Sequence, residues 1–351
     1  MVIENVLIVD PVDGEYVGSV EFNDVILKIK KEDKMSYEHI LLPAFVDPHI
    51  HGIKGIDTMT ASLKDYEKFR EYEALEGVWY FLPTTVTCPI EKLSEIQIRD
   101  DLKLHIEGPF ISPSKKGAHN EIYIRQPPVN VSELEKYIDL SKIGMITVAP
   151  EYDTFETFAR SCEDRGIRIS IGHTNAAFSQ AKEAFLKGFK RITHFPNALS
   201  PLHHREPGVT GAGLYFDFLL EIIADGIHSS PDFVSLVYKI KGADKIILIT
   251  DSISAAGLKD GKYVLGDLPV EVKDGIARLM DDTLAGSTLR FSQAIKNFAK
   301  FTKCSLQELA KVSSYNASTD LNLKGGRIIE GYPAKLVLVD RELNIKKTWN
   351  F

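Results

Sequence analysis

No apolar run in this 351-residue chain approaches the ~20 residues a helix needs to cross a bilayer, so a membrane-spanning reading is set aside. Cysteine is scarce. Cys88, Cys162 and Cys304 share no C-x-x-C spacing and, being three, cannot form a fully paired disulfide framework. That excludes a disulfide scaffold and points to a reduced, cytoplasmic compartment. A basic excess is missing too: 42 Lys and Arg face 49 Asp and Glu, for a net charge of -7, which argues against a broad nucleic-acid footprint. The first ten residues carry an acid at Glu4 and no basic stretch, unlike a secretory signal. The Gly-x-Gly-x-x-Gly fingerprint of an open dinucleotide-binding sheet is also absent. With 44% hydrophobic residues, the chain can bury one large core, or one core and a satellite domain.

Between Leu41 and Asp251, short apolar runs alternate with amphipathic segments, the pattern of repeated βα units. Eight candidate strands emerge, at Leu41–Asp47, Val78–Val86, Leu102–Glu107, Ile143–Val148, Ile167–Ile171, Arg191–His194, Leu219–Ala224 and Lys245–Thr250. Helices are expected over Ser62–Glu76, closed by Gly77, and Phe178–Lys187, closed by Gly188, where glycine suits a left-handed cap. Two more are expected over Ser132–Leu140 and Thr154–Arg165. Eight alternations predict an α/β fold, a (β/α)8 TIM-type barrel with its site at the strand C-termini. The flanks differ. Strand-like Val6–Val9, Val25–Ile29, Gly325–Ile329, Leu336–Val339 and Ile345–Trp349 predict a small β-sandwich domain built from both termini, residues 1–42 and 322–351, around a barrel over 43–321. A hairpin-like piece, Tyr263–Leu279 with a turn at Asp274-Gly275, interrupts the pattern after the eighth strand.

The polar residues fall where a barrel site would be. His49 and His51 stand at i and i+2 of an extended run, which points both imidazoles to one face. Glu107, His173, His194 and Asp251 each close a separate strand. Imidazole and carboxylate donors without thiolates suit Zn, Fe(II), Mn, Co or Ni, and argue against a structural Cys-rich zinc site. Such an ion lowers the pKa of its water from ~15.7 toward 7, and Asp251 is placed to take that proton. The loops Lys116–His119 and Asn197-Ala198 with His203–Gly208 offer substrate contacts, and Arg205 has the forked donors that phosphate accepts.

Taken together, Leu42–Gly52, His105–Phe110, Lys116–His119, Gly172–Thr174, Thr193-His194, His204–Gly208, Asp225–His228, Thr250-Asp251 and Ala285–Ser287 resemble the N-acetylglucosamine-6-phosphate deacetylases of the amidohydrolase superfamily, in order along nearly the whole chain. The resemblance implies Glu107, His173 and His194 as principal metal ligands, and His49 and His51 as an optional second site. It implies Asp251 as general acid/base and His119 as the group polarising the acetamide carbonyl. Asn197, Ala198, Arg205 and His228 would contact the sugar phosphate. It further implies a homodimer in which Arg205 and His228 complete the neighbour's site, with one or two divalent ions per subunit. The activity implied is hydrolysis of N-acetyl-D-glucosamine 6-phosphate to D-glucosamine 6-phosphate and acetate. Alternatives are the same reaction on the galacto epimer, a cyclic-amide hydrolase, and a non-catalytic barrel. The chain departs from the family pattern at Pro196 and is compact for it.

Overall fold

Residues 1–33 and 36–350 are described by the computed structural model. Four strands open the chain: β1 (Val2–Asp10), β2 (Gly14–Phe22), β3 (Ile26–Lys31) and β4 (His39–Pro43). The barrel begins with β5 (Phe45–Ile50), followed by a two-residue ladder, β6 (Gly52–Ile53) and β7 (Ile56–Asp57). Its other strands are β8 (Val78–Pro83), β9 (Leu104–Glu107), β10 (Ile143–Val148), β11 (Arg168–Ile171), β12 (Arg191–Ile192), β13 (Leu219–Ile223) and β14 (Ile246–Ile249). Strands β9 to β14 form one parallel sheet and β5 pairs in parallel with β8. Sparse contacts close the two seams. Thr84 bridges His105 beside β8 and β9, and the Asp251 N–H donates to the His49 carbonyl at 2.9 Å between β14 and β5.

Five helices lie between barrel strands: α1 (Leu63–Leu75), α2 (Phe155–Glu163), α3 (Phe178–Leu186), α4 (Gly208–Tyr215) and α5 (Pro231–Lys241). The start of α1 is set by Ser62 and Asp65, whose side chains cap each other's backbone reciprocally. After β14 come the antiparallel strands β15 (Gly261–Leu265), β16 (Leu268–Lys273) and β17 (Ile276–Arg278), with Asp274 and Gly275 both at positive φ in the expected turn. Next are α6 (Phe291–Thr302), α7 (Leu306–Ala310) and α8 (Asn316–Asp320), the last two joined by a π-helical turn at Lys311–Tyr315. The chain ends with β18 (Leu336–Val339) and β19 (Ile345–Trp349).

Both termini meet in one sheet, ordered β19-β18-β4-β1-β2-β3. Alternate residues of β1 explain how it packs: Leu7 and Val9 face the main core, whereas Val6 and Ile8 face a second core with Phe22, Leu336 and Trp349. The termini meet as expected, but in one continuous sheet with apolar residues on both faces rather than in the two sheets of the expected β-sandwich. Buried Asp10 clasps its ends, accepting from Arg327 Nε at 2.9 Å and from the Ile328 N–H at 2.8 Å.

All eight expected barrel strands are present, and the structure departs from expectation in four details. The run Leu41–Asp47 splits at Ala44, because the Ala44 N–H goes to the Lys335 carbonyl and the next N–H, of Phe45, goes to Gly77. The expected helix at Ser132–Leu140 is instead a 3₁₀ turn at Val131–Leu134 and another at Leu140–Lys142. There the Asp139 carboxylate accepts the Ser141 N–H and starts a new turn. Gly325–Ile329 is no strand; its backbone and Arg327 serve Asp10. Strand β2 was not anticipated, since Gly18 and Ser19 dilute its strand signal.

Candidate metal centre

The barrel lumen is polar. On its inner wall His105 Nε2 meets Thr147 Oγ1 at 2.7 Å, Thr147 meets Thr193 at 3.0 Å, and Thr193 donates to Ser170 at 2.6 Å. Above this network, at the strand C-termini, two sets of buried donors converge: Glu107 with His173 and His194, and His49 with His51 and Asp251, each set within 4.8 Å. Glu107 belongs to both. Its Oε1 lies 2.9 Å from His194 Nε2 and 3.3 Å from His173 Nε2. Its Oε2 lies 3.4 Å from His49 Nε2 and 3.3 Å from His51 Nε2. Asp251 Oδ1 faces the same two imidazoles, at 3.3 and 3.1 Å.

For three of the four candidate ligand rings, a hydrogen bond on the far side fixes which nitrogen keeps its lone pair. His51 Nδ1 donates to the Thr84 carbonyl at 3.1 Å, His173 Nδ1 to the Lys115 carbonyl at 2.8 Å, and His49 Nδ1 to Glu221 at 3.2 Å. All three therefore turn Nε2 inward as a donor atom for a cation. His119 is built the opposite way. Its Nδ1 accepts the Thr87 N–H at 3.1 Å, so the neutral ring carries its proton on Nε2, 3.5 Å from Glu107. Burial, then His173 beside it, push His119 down to about 4, so the ring is neutral at pH 7. In this tautomer the ring turns an N–H, not a lone pair, toward the centre.

The electrostatics fit a bound divalent ion. His49 Nε2 is buried without a hydrogen-bond partner yet faces two carboxylates, which suits a cation between them. Burial opposes charge on His51, but Asp251 and Glu107 outweigh it and raise the ring to about 9. Burial would likewise raise Asp251, but His49 and then His51 hold it well below the usual carboxylate range. A cation in the cradle would displace the protons that these groups share.

Backbone strain accompanies this placement: His173, His194, Ala198 and Asp251 all have positive φ, between 28° and 52°. The Ala285-Gly-Ser287 motif has a physical reason. A Cβ on Gly286, at φ 58°, would stand 2.9 Å from the Asp251 carbonyl and 2.6 Å from Ile253 Cγ2.

A cavity of about 540 Å³ opens over the centre. Of the residues expected at the site, His51, Glu107, His119, His173, His194, Asn197, Ala198, His228 and Asp251 line it, while His49 lies buried behind. Arg205 is exposed and does not line the cavity of its own chain. His228, expected to reach a neighbour's site, lines the cavity of its own chain, held by Asp225 at 2.7 Å. Sequence reasoning missed Arg278 in the insertion and Lys115, which also line the cavity. It missed Glu221 and Arg191 as well; a charged residue inside an otherwise apolar strand was the available signal.

A parallel barrel with an acid–imidazole centre at the strand C-termini defines the class of barrel hydrolases built for metal ions. Residues 40–351 match the Amidohydrolase family, and the chain belongs to that family. N-acetylglucosamine-6-phosphate deacetylase of Lysinibacillus sphaericus is 40% identical over 322 residues, spanning 88% of this chain and 83% of that protein. The crystal structure of N-acetylglucosamine-6-phosphate deacetylase from Thermotoga maritima is 51% identical, with a TM-score of 0.94 over 99% of this chain and 97% of that one. A mutant of the Mycobacterium smegmatis enzyme, solved in complex with N-acetyl-D-glucosamine-6-phosphate, is 25% identical, with a TM-score of 0.92 over 100% of this chain and 97% of that one.

Proposed function

We propose that this chain is a metal-dependent deacetylase that hydrolyses N-acetyl-D-glucosamine 6-phosphate to D-glucosamine 6-phosphate and acetate. The observation that carries this reading is the convergence, in one cavity of an amidohydrolase, of a shared Glu107, inward imidazoles, an ionised Asp251 and the opposite tautomer at His119. Glu107, His173 and His194 would hold the principal ion, and His49 and His51, with Asp251 beside them, a second. A bound divalent ion supplies a Lewis acid and a water whose pKa falls toward ~7.

The chain's own groups do the rest. His119 Nε2–H donates to the acetamide oxygen as negative charge builds there. The Asp251 carboxylate accepts a proton from the attacking water and returns it to the departing amine. Asn197, Ala198 and His228 hold the sugar phosphate from within the cavity. Arg205, exposed on its loop, serves the neighbouring copy in a homodimer. In this reading residues 43–321 form the catalytic barrel, residues 1–42 and 322–351 form the satellite, and the enzyme works in the cytoplasm.

The test is acetate release by protein loaded separately with Zn(II), Fe(II) or Mn(II). The substrates are N-acetylglucosamine 6-phosphate, its galacto epimer and the unphosphorylated sugar. The 6-phosphate is expected to raise kcat/KM by ~10-fold or more, through charge-assisted contacts. Equal rates with and without phosphate would remove the roles given to Arg205 and His228. No acetate from any substrate would end the reading.

A further inference from the structure

Inside the barrel, below the centre, Glu221 sits fully buried in the middle of β13. Its four acceptor positions are all taken. Oε1 accepts Arg191 Nε at 2.9 Å and Arg191 Nη2 at 2.7 Å. Oε2 accepts His49 Nδ1 and the His194 backbone N–H, each at 3.2 Å. Arg191 is itself buried and reaches Asp320 at the end of α8 with its remaining terminal nitrogen. The Asp320 carbonyl in turn accepts Arg168 Nε at 2.6 Å. A chain of charged groups therefore runs from the N-terminal end of the barrel strands to the back of His49.

We propose that Glu221, clamped by Arg191 and Asp320, is a positioning residue that fixes the His49 proton on Nδ1 and so makes the second cradle able to hold an ion. The proposal rests on the two-ion reading of the site given above. The reason lies in which donors can turn. The Arg191 fork and the His194 N–H are fixed donors, so both carboxylate oxygens must remain acceptors. The His49 ring is then left with one arrangement, proton toward Glu221 and lone pair toward Glu107 and Asp251. The first cradle meets Glu221 only through the His194 backbone N–H, not through a ring nitrogen, and its His173 is oriented by the Lys115 carbonyl.

Glu221→Gln separates this role from simple support. Arg191 offers two N–H groups, so it would keep the amide oxygen and leave the amide NH2 facing His49 Nδ1, with the His194 N–H losing its acceptor. That would force the His49 proton onto Nε2, where it blocks a metal. Metal content of the zinc-dialysed protein is expected to fall from two ions per chain to one, with second-ion affinity weakened ~10–100-fold, the range for lost outer hydrogen bonds. In Arg191→Met/Glu221→Gln the amide is free to turn its oxygen to His49, and the second ion should return. A residue that only supports the fold would give no such rescue.

Nitrogen-15 histidine spectra of the zinc-loaded wild type supply a readout independent of any variant's folding. They are expected to show the His49 proton on Nδ1. A proton on Nε2 of wild-type His49, or two ions bound as tightly in Glu221→Gln as in wild type, would overturn the positioning role. A wild type that binds one ion would instead sink the two-ion reading, and the His49 tautomer would still decide for or against Glu221.

Discussion

The two cradles share Glu107 but are oriented by different means. Around the first, His173 is held by a neutral backbone carbonyl, that of Lys115. Around the second, His51 is held by a carbonyl, but His49 leans on a buried carboxylate that is itself pinned by Arg191. Burial would raise Glu221, but Arg191 and then His49 outweigh it and hold it down at about 2. A carbonyl orients a ring with no further requirement, whereas a buried carboxylate needs its own countercharge. The second cradle therefore depends on residues far down the barrel for the proton of a ring, whereas the first meets them only through the His194 backbone N–H.

The shared carboxylate is where this contrast breaks first. In Glu107→Gln both cradles lose a charged oxygen, so neither ion should be retained after dialysis and turnover should drop by ~10³-fold or more. Metal analysis alongside acetate release checks this, and retention of one ion would mean that the cradles are more independent than the geometry says. His119→Gln sharpens the line between ligand and donor. It should cost ~10²–10³-fold in kcat, the range for a lost oxyanion donor, while leaving metal content unchanged. Loss of an ion in that variant would make His119 a ligand after all.

The smallest effect concerns protons. His51 in the metal-free fold sits at about 9, above the ~6.5 of a free histidine. Because the folded value is raised, its contribution to stability is fully present below ~6.5 and is lost as pH rises through 9. Thermal melting of the metal-free protein should thus weaken between those values more steeply than that of the zinc-loaded protein, in which the ion has replaced the proton. Parallel curves for the two forms would contradict a proton held in the second cradle.

Much of this was legible in the sequence because barrels put chemistry at strand ends, where a polar residue closing an apolar run stands out. Asp251 and the His49-Ile-His51 pair are such cases. The residues behind them were not legible for the same reason in reverse. Glu221 lies within Leu-Leu-Glu-Ile-Ile and Arg191 opens its strand, so each reads as an incidental charge until the barrel closes and brings them together. The tautomer of His119 was invisible as well, since it depends on the Thr87 N–H, 32 residues away in sequence. Arg205 was read as a phosphate donor, yet its own chain leaves it in solvent. The role proposed for it would be a property of two chains, which one chain's pattern does not encode.

The most direct test of the catalytic account is acetate release from N-acetylglucosamine 6-phosphate by zinc-loaded wild type and Asp251→Asn, with metal content measured in both. The account predicts acetate and glucosamine 6-phosphate in equal amounts from wild type. It predicts a fall in kcat of ~10²–10⁴-fold in the variant, the range for a lost general acid/base, with KM nearly unchanged and the Glu107, His173 and His194 ion still bound. Wild-type turnover in Asp251→Asn, or no acetate from the metal-loaded wild type, would contradict it.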